Sequence, residues 1–492
     1  MAGAPSISRL IFALVGLSPP SQASMQGPPE PALRLLRQAH AAVVRFGRHA
    51  ADSLWPGFRP DTIPVLYVLP GQGTLLLGWP GAVPGGFSRL PGTGEGWKPA
   101  AEQGAASTGV VLGSRGTAQV VVRNEGLASL IGLTLHEAFH VHANAAAVRG
   151  RRFGRGENSF LVSTYPVFDV ENEAGMALEG RLLASALEAP DREGQQALSR
   201  AFVAARESRH RRLGAELAEF EQLAELNEGL AEYQLIRSAE LGAGMPGYAD
   251  TAGARRIRQR LHDELRALTA DVNQSLRLRF YRLGPAQGLL LDRLEGPRWK
   301  RRVLEQNLTL QDALADAAGS RDAERAVLNQ VSAEFGVTEL KRSAAGGVER
   351  LKALRHRQVD SLLSEPGLGI TIMLDSMPGR SVGLCGIDPQ NLLQVDPDRL
   401  LHTRWVRLCS GSRIQATFNT PAVQDKRQAT WQAVLKPSDT VRIVAGEKSV
   451  ALGRGQHLGV TDLKVESIGL ELHASRAELW RDERSLFILI KP

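Results

Sequence analysis

His136, Glu137 and His140 stand in the order His-Glu-x-x-His within Thr134-Leu135-His136-Glu137-Ala138-Phe139-His140-Val141-His142. On an α-helix, residues i and i+4 lie one above the other on a single face, so the two imidazoles can aim a nitrogen at one point in space. Two neutral imidazoles plus a carboxylate from elsewhere leave the fourth tetrahedral position of a zinc ion to water, the arrangement of a catalytic site and not of a closed structural one. Glu137 points to the neighbouring side of such a helix, where it could take a proton from that water. His142, only two residues beyond His140, faces away and reads as structural. The pattern also fits a buried helix carrying two hydrogen-bonded core histidines, because Leu130, Ile131, Leu133, Leu135, Phe139 and Val141 make the segment apolar on every side.

The histidine helix needs elements to hold it. Ala118 to Arg123 reads as a strand leading into it, and an exposed edge on that strand could hold an extended substrate by backbone hydrogen bonds. Upstream, the apolar spacing predicts a helix from Ala32 to about Leu54 and a strand over Ile63 to Leu69, then a Gly- and Pro-rich span from Pro70 to Gly116 that admits only short strands and loops. Downstream, 170–241 is helical, and helices resume from about Ala254 through Leu294 and on to Leu363. At Glu365-Pro366-Gly367-Leu368-Gly369 the character changes to short β-like runs separated by turns, which predicts a β-sandwich or small barrel. The expected fold class is α+β: a mainly helical domain with a small N-terminal β part, followed by an all-β, sandwich-like C-terminal domain. The boundaries are 24–117 for the N-terminal helix and β/loop region, 118–364 for the helical domain and 370–492 for the β domain.

Composition narrows the function classes. Aromatic residues make up 5% of the 492, too few for base stacking to be a main theme, and no nucleic-acid partner is expected. The net charge of +7 comes mostly from arginines interleaved with other polar residues, as in Arg255-Arg256-Ile257-Arg258-Gln259-Arg260, and reads as solvated helix faces. Arg9, the apolar run Leu10 to Leu17 and the small residues of Ser21-Gln22-Ala23 resemble a secretory signal peptide over 1–23, cleaved after Ala23. That predicts a secreted or periplasmic protein with no integral membrane segment once the signal is removed. The two cysteines, Cys385 and Cys409, could form a disulfide in such a compartment or remain buried thiols, and they lack the CxxC spacing of a zinc ribbon.

Two further stretches carry a family resemblance. Asn227-Glu228-Gly229, with Glu232 one helical turn on, is followed by Tyr281-Arg282-Leu283-Gly284. Together with His136-Glu137-x-x-His140 these elements resemble, in order, the HExxH, NEG and YxxG of the gluzincin metallopeptidases, the group that includes thermolysin and the zinc aminopeptidases. The resemblance covers roughly Ala118 to Leu294. It implies that Zn2+ is held by His136, His140 and Glu228, and that Glu232 orients a zinc-bound histidine. It implies that Glu137 is the general base of a peptide-bond hydrolysis and that Tyr281 stabilises the oxyanion, so the expected partner is a peptide or protein substrate.

The chain also departs from the family. Between His140 and Glu228 lie 87 residues, enough for an inserted helical unit, and Glu173 and Glu179 are alternative third ligands nearer to His140. The GxMEN element by which aminopeptidases anchor a free N-terminus has only a partial counterpart, Gly154-Arg155-Gly156-Glu157-Asn158, on the wrong side of the histidine helix in sequence. A non-catalytic zinc-containing binding protein on a peptidase scaffold is the alternative reading, and a charge-driven binder of anionic surfaces is a second.

Overall fold

The computed structural model describes residues 27–99, 106–245, 248, 250–268, 276–319, 324–375, 383–389, 391–411 and 413–491. The signal-like segment 1–23 lies outside them. The chain is α+β: helices dominate between Glu30 and Leu363, a six-stranded sheet is set among them, and strands fill Leu368 to Ile490.

The small sheet comprises β1 (Val65–Leu69), β2 (Gly73–Leu77), β3 (Ser88–Arg89), β4 (Gly96–Pro99), β5 (Thr108–Leu112) and β6 (Arg115–Val121), in the order β3-β4-β2-β1-β6-β5. Every residue of β1 is buried, as a central strand covered on both faces requires. It pairs antiparallel with β2 and parallel with β6. Because β6 also pairs with β5, both of its edges are taken, and among the described residues the free edge expected on Ala118–Arg123 belongs instead to β5. The reason is local: Gly113, at φ +60°, with Ser114 closes a two-residue turn that folds β5 back onto β6. The boundary drawn between 117 and 118 falls inside β6, and one hydrophobic core joins helix Glu30–His49, this sheet and the helices that follow.

The histidine helix (Leu127–Ala145) runs directly out of β6, with Leu130, Ile131, Leu135, Ala138 and Phe139 in that core. Its N-terminus has no cap of its own. Asp250 supplies one, Oδ2 accepting from Ala128 N at 3.2 Å while Oδ1 caps the helix Thr251–Arg266. Tyr67 of β1 fixes the helix from beneath, its hydroxyl 3.0 Å from Thr134 Oγ1.

Two further elements complete the scaffold. One is a continuous rod in which helix Ala215–Ala224 passes through a π-helical turn, Glu225–Gly229, into the glutamate helix Leu230–Gly242. The other is the tyrosine helix, Leu276–Glu295. Pro285 interrupts its hydrogen-bond ladder by removing the N–H that Tyr281 O would accept, and Arg282 Nη1 donates to that carbonyl at 3.3 Å. The C-terminal strands form one branched thirteen-stranded sheet, in which Leu470–Arg481 pairs with His457–Glu466 along one edge and with Ile414–Phe418 and Ser485–Ile490 on the other. It has its own core and a disulfide between Cys385 and Cys409, which the cysteine count had left open. It docks on the helical part where Gln394 Nε2 donates to the carbonyls of Val162 and Tyr165.

Candidate metal centre

The histidine helix and the glutamate rod cross so that His136, His140 and Glu228 meet. The two Nε2 atoms are 3.2 Å apart, and Glu228 Oε2 lies 3.3 Å from His140 Nε2 and 3.7 Å from His136 Nε2. Four-coordinate zinc with metal–ligand bonds of about 2.0–2.1 Å spaces its ligand atoms about 3.3 Å apart, so these three atoms already stand near a ligand set's mutual distances. Glu228 Oε2 is buried and receives no hydrogen bond, an orphaned acceptor that a cation would satisfy. His136, His140 and Glu228 therefore fit a divalent metal.

Charge holds the ligands in place. Burial works against a charged His136, but Glu228 and Glu232 outweigh it and raise its pKa to about 10. Glu232 Oε2 is 3.2 Å from His136 Nδ1, the nitrogen turned away from the ligand cluster, and Arg260 Nη2 stands 3.5 Å from Glu232 Oε1. The Glu228 carboxyl is raised by burial, yet the His140 charge, both imidazole contacts and Arg277 hold it well below the usual carboxylate range. Burial raises Glu137, partly offset by the two histidines and reinforced by the charges of Glu228 and Glu232.

Glu137 and Tyr281 reach the same cleft of about 290 Å³ as the three ligands. The Tyr281 ring stacks on His136 with centroids 5.6 Å apart, and burial together with the nearby Glu228 charge pushes its hydroxyl well above its ordinary pKa, so it stays a donor. A close crossing of the glutamate rod and the tyrosine helix brings it there. A Cβ on Gly284 would sit 2.5 Å from Gly229 Cα, so the glycines of Asn227-Glu228-Gly229 and Tyr281-x-x-Gly284 are the two sides of one backbone contact. Ser107, Thr108 and Gly109, at the start of β5, also line the cleft.

The alternative ligands are elsewhere. Glu173 is held by both arms of the Arg279 fork at 2.8 and 2.7 Å. Glu179 lies in a fully buried cluster with Arg206 and Arg209, which also engage Glu225 and Glu221. His142 packs among Phe58, Phe139 and Phe153.

Two residues with no role in the sequence reading border the site. Arg277, one turn before Tyr281, donates from Nη2 to Glu228 Oε1 in a very short contact and reaches Glu157 Oε1 from Nε at 2.8 Å. Glu157 Oε2 accepts from Asn227 Nδ2 at 3.0 Å. The Gly154–Asn158 stretch, remote in sequence order, thus arrives beside Glu228. Gly154 makes this possible, at φ +76° and packed so closely on Ala143 O at the end of the histidine helix that a Cβ has no room. With its carboxylate taken by Arg277 and Asn227, Glu157 is not free to anchor a substrate amine. The four-residue spacing of Arg277 and Tyr281 was the available signal; Glu157 had only the glycines before it.

No protein-family model matches the chain, and comparison with curated proteins and with solved structures gives no match.

Proposed function

We propose that the protein is a metallohydrolase, and within that class an exported zinc peptidase of the gluzincin type, its peptidase unit made of the helical region to residue 364 together with the N-terminal helix and small sheet that share its core, and 370–492 forming a β domain that positions it or binds a partner. One observation carries the reading: His136, His140 and Glu228, from elements far apart in sequence, turn their ligand atoms toward one buried point in a cleft that also contains Glu137 and Tyr281. Zinc held by those three residues would supply a water of lowered pKa and an electrophile for a carbonyl. Glu137 accepts a proton from water in the cleft and returns it to the leaving amine. The Tyr281 hydroxyl donates to the carbonyl oxygen as charge develops there. The Glu232 carboxylate, 3.2 Å from His136 Nδ1, favours a proton on that nitrogen, the tautomer that leaves Nε2 for the metal. The substrate is a peptide or protein whose extended backbone pairs with the free edge of β5. Export is supported by the Cys385–Cys409 disulfide and by the signal-like run at the N-terminus. Among the described residues no helix is long and apolar enough to cross a membrane.

The test is zinc content by mass spectrometry on wild type and on His140→Ala, Glu228→Ala, Glu173→Ala and Glu137→Gln, each then incubated with a peptide library. The expected result is one zinc per chain in wild type, lost in the first two variants and kept in the last two. Cleavage should fall about 10²- to 10⁴-fold in Glu137→Gln. Zinc without cleavage in wild type would favour the non-catalytic binding protein, and no zinc at all under metal-replete conditions would leave two core histidines.

A further inference from the structure

The structure assigns Arg277 as a positioning residue that makes Glu228 offer a single oxygen to the ion; the inference rests on the metal-site reading above. Glu228 Oε1 is occupied by Arg277 Nη2, while Oε2 is the oxygen that faces His136 and His140 and receives no hydrogen bond. A carboxylate with both oxygens free can chelate a cation, and a second bond from Glu228 would fill or crowd the position that a catalytic site keeps open for water. A guanidinium is suited to prevent this, since it is charged at every working pH and its planar fork fixes the direction of each N–H.

Arg277 is itself held. Glu157 Oε1 lies 2.8 Å from Nε and 2.7 Å from Nη2, and Glu157 Oε2 takes the side-chain amide of Asn227, the residue before Glu228. Asn227, Glu157, Arg277 and Glu228 thus close a ring of contacts that begins and ends on neighbouring residues of the π turn. The ring is almost dry: the side chains of Glu157, Glu228 and Arg277 are 2%, 8% and 10% exposed. Buried at that depth, a charge-assisted contact is strong and its rearrangement is opposed by every other member. Arg277 also shares a helix face with Tyr281, so one rigid element aims both the guanidinium that restrains Glu228 and the hydroxyl that faces the cleft.

Cobalt(II) replacing zinc reads coordination number directly, because four-coordinate cobalt absorbs severalfold more strongly in the visible than five- or six-coordinate cobalt. Wild type, Arg277→Met and Glu157→Gln are each loaded with one cobalt per chain, and their folding is checked by thermal melting. Wild type should show the strong four-coordinate bands. They should weaken severalfold in Arg277→Met, as the freed Oε1 turns to the metal, and less in Glu157→Gln, which loosens the arginine without removing it. Glu157→Gln is nearly isosteric and decides the question if Arg277→Met does not fold. Unchanged intensity per bound cobalt in the variants that fold would overturn the assignment and leave Arg277 a structural ion pair. A wild type that takes up neither cobalt nor zinc would instead overturn the metal-site reading itself.

Discussion

Four glutamates, Glu137, Glu157, Glu228 and Glu232, stand at or beside the cleft, and they are not interchangeable because each faces a different partner: open cleft, Arg277 with Asn227, the two Nε2 atoms, and His136 Nδ1. Two more, Glu173 and Glu179, stand in the sequence as alternatives to Glu228 but neutralise buried arginines. The Glu179→Ala variant should accordingly cost about 3–5 kcal/mol in unfolding free energy, since it strands Arg206 and Arg209 without a carboxylate they share. Denaturant melts measure that cost, and the folded fraction should still bind one zinc per chain. A variant as stable as wild type would mean that Glu221 and Glu225 suffice for both arginines. His136, Glu137 and His140 were legible because a helix converts a four-residue spacing into a shared face. Glu228 was legible only through the resemblance carried by Asn227-Glu228-Gly229, and the spacing alone left Glu173 and Glu179 open, because a carboxylate's role is set by the cation it meets and the partners of Glu173 and Glu179 lie between 27 and 106 residues away along the chain.

At the level of elements, the site is set by three crossings: the histidine helix on the sheet, the glutamate rod on the histidine helix, and the tyrosine helix on the π turn. The last is the least tolerant. Gly284→Ala would place its methyl 2.5 Å from Gly229 Cα and 3.2 Å from Glu225 O, backbone atoms that no rotamer change can move away. The helices must separate, at a cost on the order of 1–3 kcal/mol, the usual range for overpacking. The expected outcome is a lower melting temperature with weaker zinc retention on dialysis against a chelator, and a variant matching wild type in both would show that the crossing does not aim Glu228. Helix spans were readable from apolar spacing, as was the switch to strands after Leu363. The identity of the free sheet edge was not, since it depends on which strand pairs last. Nor was the π turn, a departure from 3.6-residue periodicity that only tertiary contacts stabilise.

For the molecule as a whole, the C-terminal sheet carries a built-in sensitivity to acid. His402 is buried against Trp431, ring centroids 5.4 Å apart, and burial lowers its pKa to about 4 from an ordinary value of 6.5. Between those values the unfolded chain binds a proton that the folded chain refuses, so stability is retained above pH 6.5 and is lost progressively as the pH falls towards 4. At 1.36 kcal/mol per unit the full effect is roughly 3 kcal/mol. Thermal melts from pH 7 to pH 4 should show a smaller decline for His402→Phe, which keeps the stacked ring, than for wild type; parallel declines would show that His402 plays no part.

The contact between Gly229 and Gly284 bears finally on descent. A side chain at either position evicts the other helix whatever the other position carries, so no order of single substitutions leads away from the pair through a chain that keeps the crossing. In any lineage that retains the site, the two glycines should be inherited as a single character, and a descendant that has lost one has no remaining physical reason to keep the other.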